Sequence, residues 1–117
     1  MINQYGWNLL QHPIVLQVEE NTTSFSLVDL PIQARKAKLH ICLQSGSCQG
    51  ESVVTWTLST KVDMIKISSH PYTQNAWNSY SENCAIRLDE KKNIEISRSG
   101  SFPQGYFSIV IEVLGYK

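Results

Sequence analysis

Apolar residues recur at every second position along this chain, in short runs separated by polar or glycine-containing stretches. Period two is the mark of a strand with one buried face. The closing run, Tyr106 to Lys117, shows it most fully. Phe107, Ile109, Ile111 and Val113 fall on one face, and Tyr106, Ser108, Val110 and Glu112 on the other. Its β-branched and aromatic content suits a pleated surface better than a helix. The same alternation predicts strands over 14–18, over 24–28 with Phe25 and Leu27 inward, and over 37–43 with Leu39, Ile41 and Leu43 in the core. Further strands are expected at Val54–Trp56–Leu58, over 62–68 with Ile65 and Ile67 inward, over 84–88 with Cys84, Ile86 and Leu88 aligned, and at Ile94–Ile96. Tyr5, Trp7 and Leu9 also alternate, as a first strand or an arm. His12-Pro13 predicts a break, because proline removes a donor and restrains the residue before it.

Between these runs lie turns and loops: 19–23, 29–36 around Pro31, 44–51 with two glycines, 59–61, the charged 89–93, and 98–105. The stretch 69–83 has no period and is predicted as one long loop, a length that in a compact domain usually carries function. No segment holds helical periodicity over three turns. Eight or nine short strands at this spacing predict one all-β domain over 1–117. The expected architecture is an antiparallel β-sandwich of jelly-roll type, with a closed small barrel as the alternative.

Composition narrows the function classes. The 117 residues carry 10 basic and 10 acidic side chains, so no basic excess marks a nucleic-acid binder. The cluster Arg35-Lys36-Ala37-Lys38 reads as a solvated lead into a strand. No run reaches the roughly 18 apolar residues of a membrane helix. The opening Met1-Ile2-Asn3-Gln4-Tyr5 lacks the basic-then-apolar order of a signal peptide, which predicts a cytoplasmic protein. The three cysteines, Cys42, Cys48 and Cys84, are an odd set and are expected to be reduced and dispensable, with a Cys42–Cys48 pair as the lesser reading.

His12, His40 and His70 have no metal-ligand neighbour at short spacing, no nucleophile elbow or phosphate-cradling glycine loop occurs, and Asp29, Asp63 and Asp89 read as turn residues. No catalytic residue, metal or cofactor is therefore expected. The candidate ligand-binding residues are Tyr72, Trp77 and Tyr80, aromatic side chains in a loop of Ser, Asn, Gln and Thr. Sugar rings stack on exposed aromatic faces, and the neighbouring amides and hydroxyls supply directional hydrogen bonds. Trp77 serves either as such a platform or as a plug for one end of the sandwich. Trp56, in register with Val54 and Leu58, belongs to the core.

Two stretches carry a resemblance. One is Ser24 through Ile41, a strand, a D-L-P connection running into Ala34-Arg35-Lys36-Ala37, and a second strand. The other is Ile86-Arg87-Leu88-Asp89 through Ile94-Glu95-Ile96, completed by Val113-Leu114-Gly115-Tyr116. Together these resemble the small β-sandwich domains at the C-termini of phage tail and bacterial surface proteins. The resemblance implies a binding or assembly role without catalytic residues, often in an oligomer, and a virion or cell-surface location if the chain is phage-derived. The expected function is thus a non-enzymatic binding or assembly module for a carbohydrate or protein ligand. The rival readings are a cupin-like metal enzyme and a cytoplasmic mobile-element protein acting through a protein partner. A homo-oligomer, dimer or trimer, is expected because Tyr5 to Leu10 and Tyr106 to Leu114 hold one charged residue between them and would be poorly protected as sheet edges.

Overall fold

The structure, a computed structural model, describes residues 6–18, 22–46, 54–69, 78–100 and 106–117. These form eight strands: β1 Asn8–Val18, β2 Ser24–Ser26, β3 Lys36–Gly46, β4 Val54–Ser59, β5 Met64–Ser69, β6 Asn78–Arg87, β7 Asn93–Gly100 and β8 Tyr106–Tyr116. They build a β-sandwich of two four-stranded antiparallel sheets, β1-β8-β3-β6 and β2-β7-β4-β5. The pairing is nested: first strand with last, second with seventh, third with sixth, fourth with fifth. No helix among the described residues is long and apolar enough to cross a membrane.

The core is what the alternation dictates. Leu39, Ile41 and Leu43 of β3 lie beside Ile109, Ile111 and Val113 of β8. Facing them on the other sheet are Val54, Trp56 and Leu58 of β4, with Leu58 directly beside Ile96 of β7, and Ile94 of β7 beside Phe25 of β2. All but the partly buried Phe25 lie in one buried cluster with Ile86 and Leu88. Burying such side chains is worth about 1.5–3 kcal/mol each relative to leaving them in water, so this cluster is the main stabilising term.

Several expectations need correction, beyond shifts of two or three residues at the ends of β2, β3 and β5. Residues 8–18 make one strand through Pro13, not two separated by a break. The register instead slips between Leu9 and Ile14, and an edge strand tolerates proline because its outward N–H has no ladder partner to lose. β6 begins at Asn78, inside the stretch expected to be loop as far as residue 83. β7 runs on to Gly100, past the expected loop start at residue 98. Finally, β8 is an interior strand, paired with β1 on one side and β3 on the other, so it is not an edge that a second subunit must cover. Its interior place also buries Ser108, on the face expected to be outward. Of the other segment, Tyr5 lies outside the described residues. Trp7 is half-buried, with the Lys117 ammonium 4.8 Å from its ring centroid.

Candidate functional site

The strand directions sort the connections between two ends of the sandwich. One end gathers residues 27–35, 60–63 and 88–92, and it is laced together by turn chemistry. Pro31 and its neighbours form a tight loop in which the Ala34 N–H donates to Pro31 O at 2.9 Å. Asp63, ahead of β5, accepts the Met64 N–H through Oδ1 and the Arg87 N–H through Oδ2, each at 2.9 Å. The Thr60 hydroxyl donates to Arg87 O at 2.9 Å, and Arg87 Nη2 donates to Val62 O at 2.6 Å. This turn of one sheet is thereby tied to the last residue of β6 in the other. The amide of Arg87, above all, holds the Asp63 carboxyl below the usual carboxylate range against the opposing effect of partial burial, with Met64 N–H and the guanidinium adding to it.

Asp89 behaves similarly. Partial burial pushes its carboxyl up, but the backbone N–H groups of Lys61, Lys92, Lys91 and Asn93 together outweigh that and hold it below the usual range. The Lys61 amide donates to Oδ2 at 3.2 Å, while Oδ1 makes no hydrogen bond of good geometry. Lys92 closes this turn with φ 53°, a left-handed conformation that side chains rarely adopt. It is buried, and its ammonium donates to Ile32 O at 3.2 Å. Nothing in the charged run 89–93 had marked Lys92 as buried; only its place at the end of a tight turn hints at it.

A cleft of about 370 Å³ opens at this end, lined by Arg35, Lys61, Val62, Leu88, Asp89, Glu90 and Lys91. Both signs of charge line it, and its one carboxylate of shifted acidity is engaged by backbone amides. The Arg35 guanidinium donates to its own loop at Ile32 O, 3.3 Å. The basic run Arg35-Lys36-Ala37-Lys38 is therefore a lead into β3, with Ala37 buried between two outward lysines.

The sequence-derived candidates are Tyr72, Trp77 and Tyr80. Tyr72 and Trp77 lie outside the described residues. Tyr80 is described, and it stands on β6 rather than in a loop. It shares the inner face with Glu82, Cys84 and Ile86 and lies opposite Leu43 of β3. Leu43 is buried, whereas Tyr80 is 51% exposed. Its hydroxyl donates to Glu82 Oε2 at 2.9 Å, and that carboxylate raises the phenol pKa by the hydrogen bond and then by its charge. On the other sheet, the Arg98 guanidinium sits 5.5 Å from the ring centroid of Trp56, which is buried as expected.

Among the described residues no three His, Cys, Asp or Glu side chains come together as a metal-ligand set. His40 lies on the outer face, its Nδ1 3.5 Å from Glu112 Oε1 directly across the β3–β8 ladder. His70 and Cys48 lie outside the described residues, and the expected alternative of a Cys42–Cys48 pair lies there with them. Cys42 and Cys84 are free thiols. Burial, assisted by the Glu82 charge, pushes the Cys84 thiol up to about 11. Because the thiolate is the reacting form, Cys84 in the folded protein should alkylate on the order of 100-fold more slowly at pH 8 than an unshifted cysteine. Timed iodoacetamide labelling with peptide mass spectrometry checks this. Labelling of Cys84 at the rate of the urea-unfolded chain would contradict it.

No protein-family model matches the chain, and no curated protein matches it.

Proposed function

We propose that this protein is a non-enzymatic binding or assembly module, built on a jelly-roll winding of its two sheets and engaging a carbohydrate through Tyr80 together with Tyr72 and Trp77. The nested strand pairing supports the jelly-roll reading, since it is the order left when a long antiparallel hairpin is rolled into two sheets. The resemblance to the small β-sandwich domains of phage tail and bacterial surface proteins supports the binding role.

One observation carries the ligand reading: the half-exposed ring of Tyr80, held by Glu82, directly following the segment that contains Tyr72 and Trp77. A ring tethered through its hydroxyl loses little further freedom when a sugar stacks on its face. The Glu82 carboxylate, half-exposed beside it, is a further acceptor for sugar hydroxyls.

A glycan array probed with the intact protein tests the reading. Tyr80→Ala and Trp77→Ala should each weaken any retained glycan by about tenfold, the worth of one good aromatic contact. A flat array removes carbohydrate as the ligand class, and a signal indifferent to both substitutions removes these residues from the site.

A further inference from the structure

We propose that two copies of this protein pair through β6, antiparallel about a two-fold axis at Ser81, so that the β1-β8-β3-β6 sheet continues across the dimer. The backbone groups of β6 alternate in direction along the strand. Lys36 exchanges backbone hydrogen bonds with Lys117, on the β8 side of β3. By alternation Ala37 faces β6, its partner Ile86 faces back, and Arg87 faces outward. The outward N–H and C=O of Arg87 are the groups already taken by Asp63 and Thr60. Ser79, Ser81, Asn83 and Ala85 point the same way. Among the described residues no hydrogen bond reaches their outward backbone groups.

The other edges are blunted in ways proteins commonly use. β1 carries Pro13 and a register slip, β2 has three residues, and β5 has six with Lys66 in its middle. β6 pairs with β3 without a slip from Lys36–Arg87 to Ser45–Asn78, and from Ser79 to Ala85 it holds neither proline nor lysine. A regular, open strand of this kind is a template for another strand.

A second copy fits this edge because the outward side chains at 79, 81, 83 and 85 are small, exposed and uncharged, and the chain has no net charge to keep copies apart. Three two-fold registers engage at least three of the four open residues. Centring on Glu82 sets that carboxylate directly against its mate, at the closest cross-strand position, and like charges there are destabilising. Centring on Asn83 drives the partner's Tyr80 toward the turn that caps Arg87. Centring on Ser81 avoids both. Ser79 then pairs with Asn83 across the axis, and Tyr80 lies opposite Glu82 of the other copy, the hydroxyl–carboxylate match each copy already makes internally. Tyr80 thus lies within the interface, and a sugar stacked on it would compete with the second copy.

The pairing does not rest on the ligand reading, and its test leaves Tyr72, Trp77 and Tyr80 unchanged. Sedimentation equilibrium of the full chain at about 100 μM should give twice the 13.3 kDa chain mass. Ser81→Pro removes only an N–H that has no partner among the described residues of one copy, and an edge strand tolerates it. It should return the single-chain mass with an unchanged circular dichroism spectrum. Ser81→Lys, which places like charges at the axis, should do the same should the proline variant fail to fold. With Cys42, Cys48 and Cys84 replaced by alanine, Ser81→Cys should oxidise to a covalent dimer, since directly hydrogen-bonded antiparallel partners have Cα atoms about 5.5 Å apart, within disulfide reach. A single-chain mass for the unaltered protein at that concentration overturns the proposal. So does a dimer that survives Ser81→Lys, or cross-linking through Glu82→Cys in preference to Ser81→Cys.

Discussion

Ile111→Ala is expected to destabilise the protein by about 2–5 kcal/mol, seen as a lower midpoint in reversible urea unfolding with the slope unchanged. Ile111 has no exposed surface and lies in the middle of β8. It pairs with Leu16 of β1 on one side and Ile41 of β3 on the other, and it belongs to the cluster that joins both sheets. Truncation removes the transfer free energy of three carbons and leaves a cavity that neighbours on regular strands cannot close without shifting the ladder. Domains of this size are stable by about 5–15 kcal/mol in total, so the change removes a large part of what holds the fold. A loss below about 0.5 kcal/mol would show that β8 is peripheral, contrary to its place between two strands.

The residues that make this outcome foreseeable are the ones legible in the sequence. Ile109, Ile111, Leu39, Ile41, Ile86 and Leu88 share a period-two register in three separate runs, and each is buried. Period two reports which side chains face the core; it says nothing of which strand lies beside which. The interior position of β8 follows from its pairing with β1 and β3 across most of the chain length, and a local pattern holds no such information.

The start of β6 is faint in the sequence for a different reason. Alternation is visible only where one face is apolar and the other polar. From Asn78 to Asn83 the outer positions are Ser, Ser and Asn, while the inner ones are Tyr80 and Glu82 on an edge strand where little covers them. Burial fades along β6 from Ile86 to Tyr80, and the signal fades with it. The phase does persist: Tyr80, Glu82, Cys84, Ile86 and Leu88 are evenly spaced, and extending that register backwards would have found the strand. β7 repeats the lesson, since Arg98 continues the inner phase of Ile94 and Ile96 and lays its guanidinium over Trp56 instead of leaving the strand. Of the candidate site, the sequence singles out Tyr80 as a loop aromatic; it stands instead on β6, with its ring half-exposed. The sequence misses the Glu82 partner, because that contact exists only when residues two apart share a strand face.

Gly115→Ala is expected to cost about 1–3 kcal/mol, the usual penalty for forcing volume into a packed site. Gly115 sits near the end of β8 opposite Leu9 of β1 and Lys38 of β3, where both ladders change register. A Cβ built on it falls 2.6 Å from the carbonyl oxygen of Asn8 and 3.3 Å from the Cα of Leu9. Those atoms are backbone, so no side-chain rotation relieves the clash; β1 must move away from β8 or β8 must bend. The glycine is thus needed for close approach of two chains at a bulge, not for a left-handed turn. The first residues of β1 should suffer most. Hydrogen exchange of Gly115→Ala should show faster exchange over residues 8–10 than in the unaltered protein, with Ile109 to Val113 still protected. Unchanged exchange over residues 8–10 together with an unchanged urea midpoint would mean that β1 does not approach β8 so closely there.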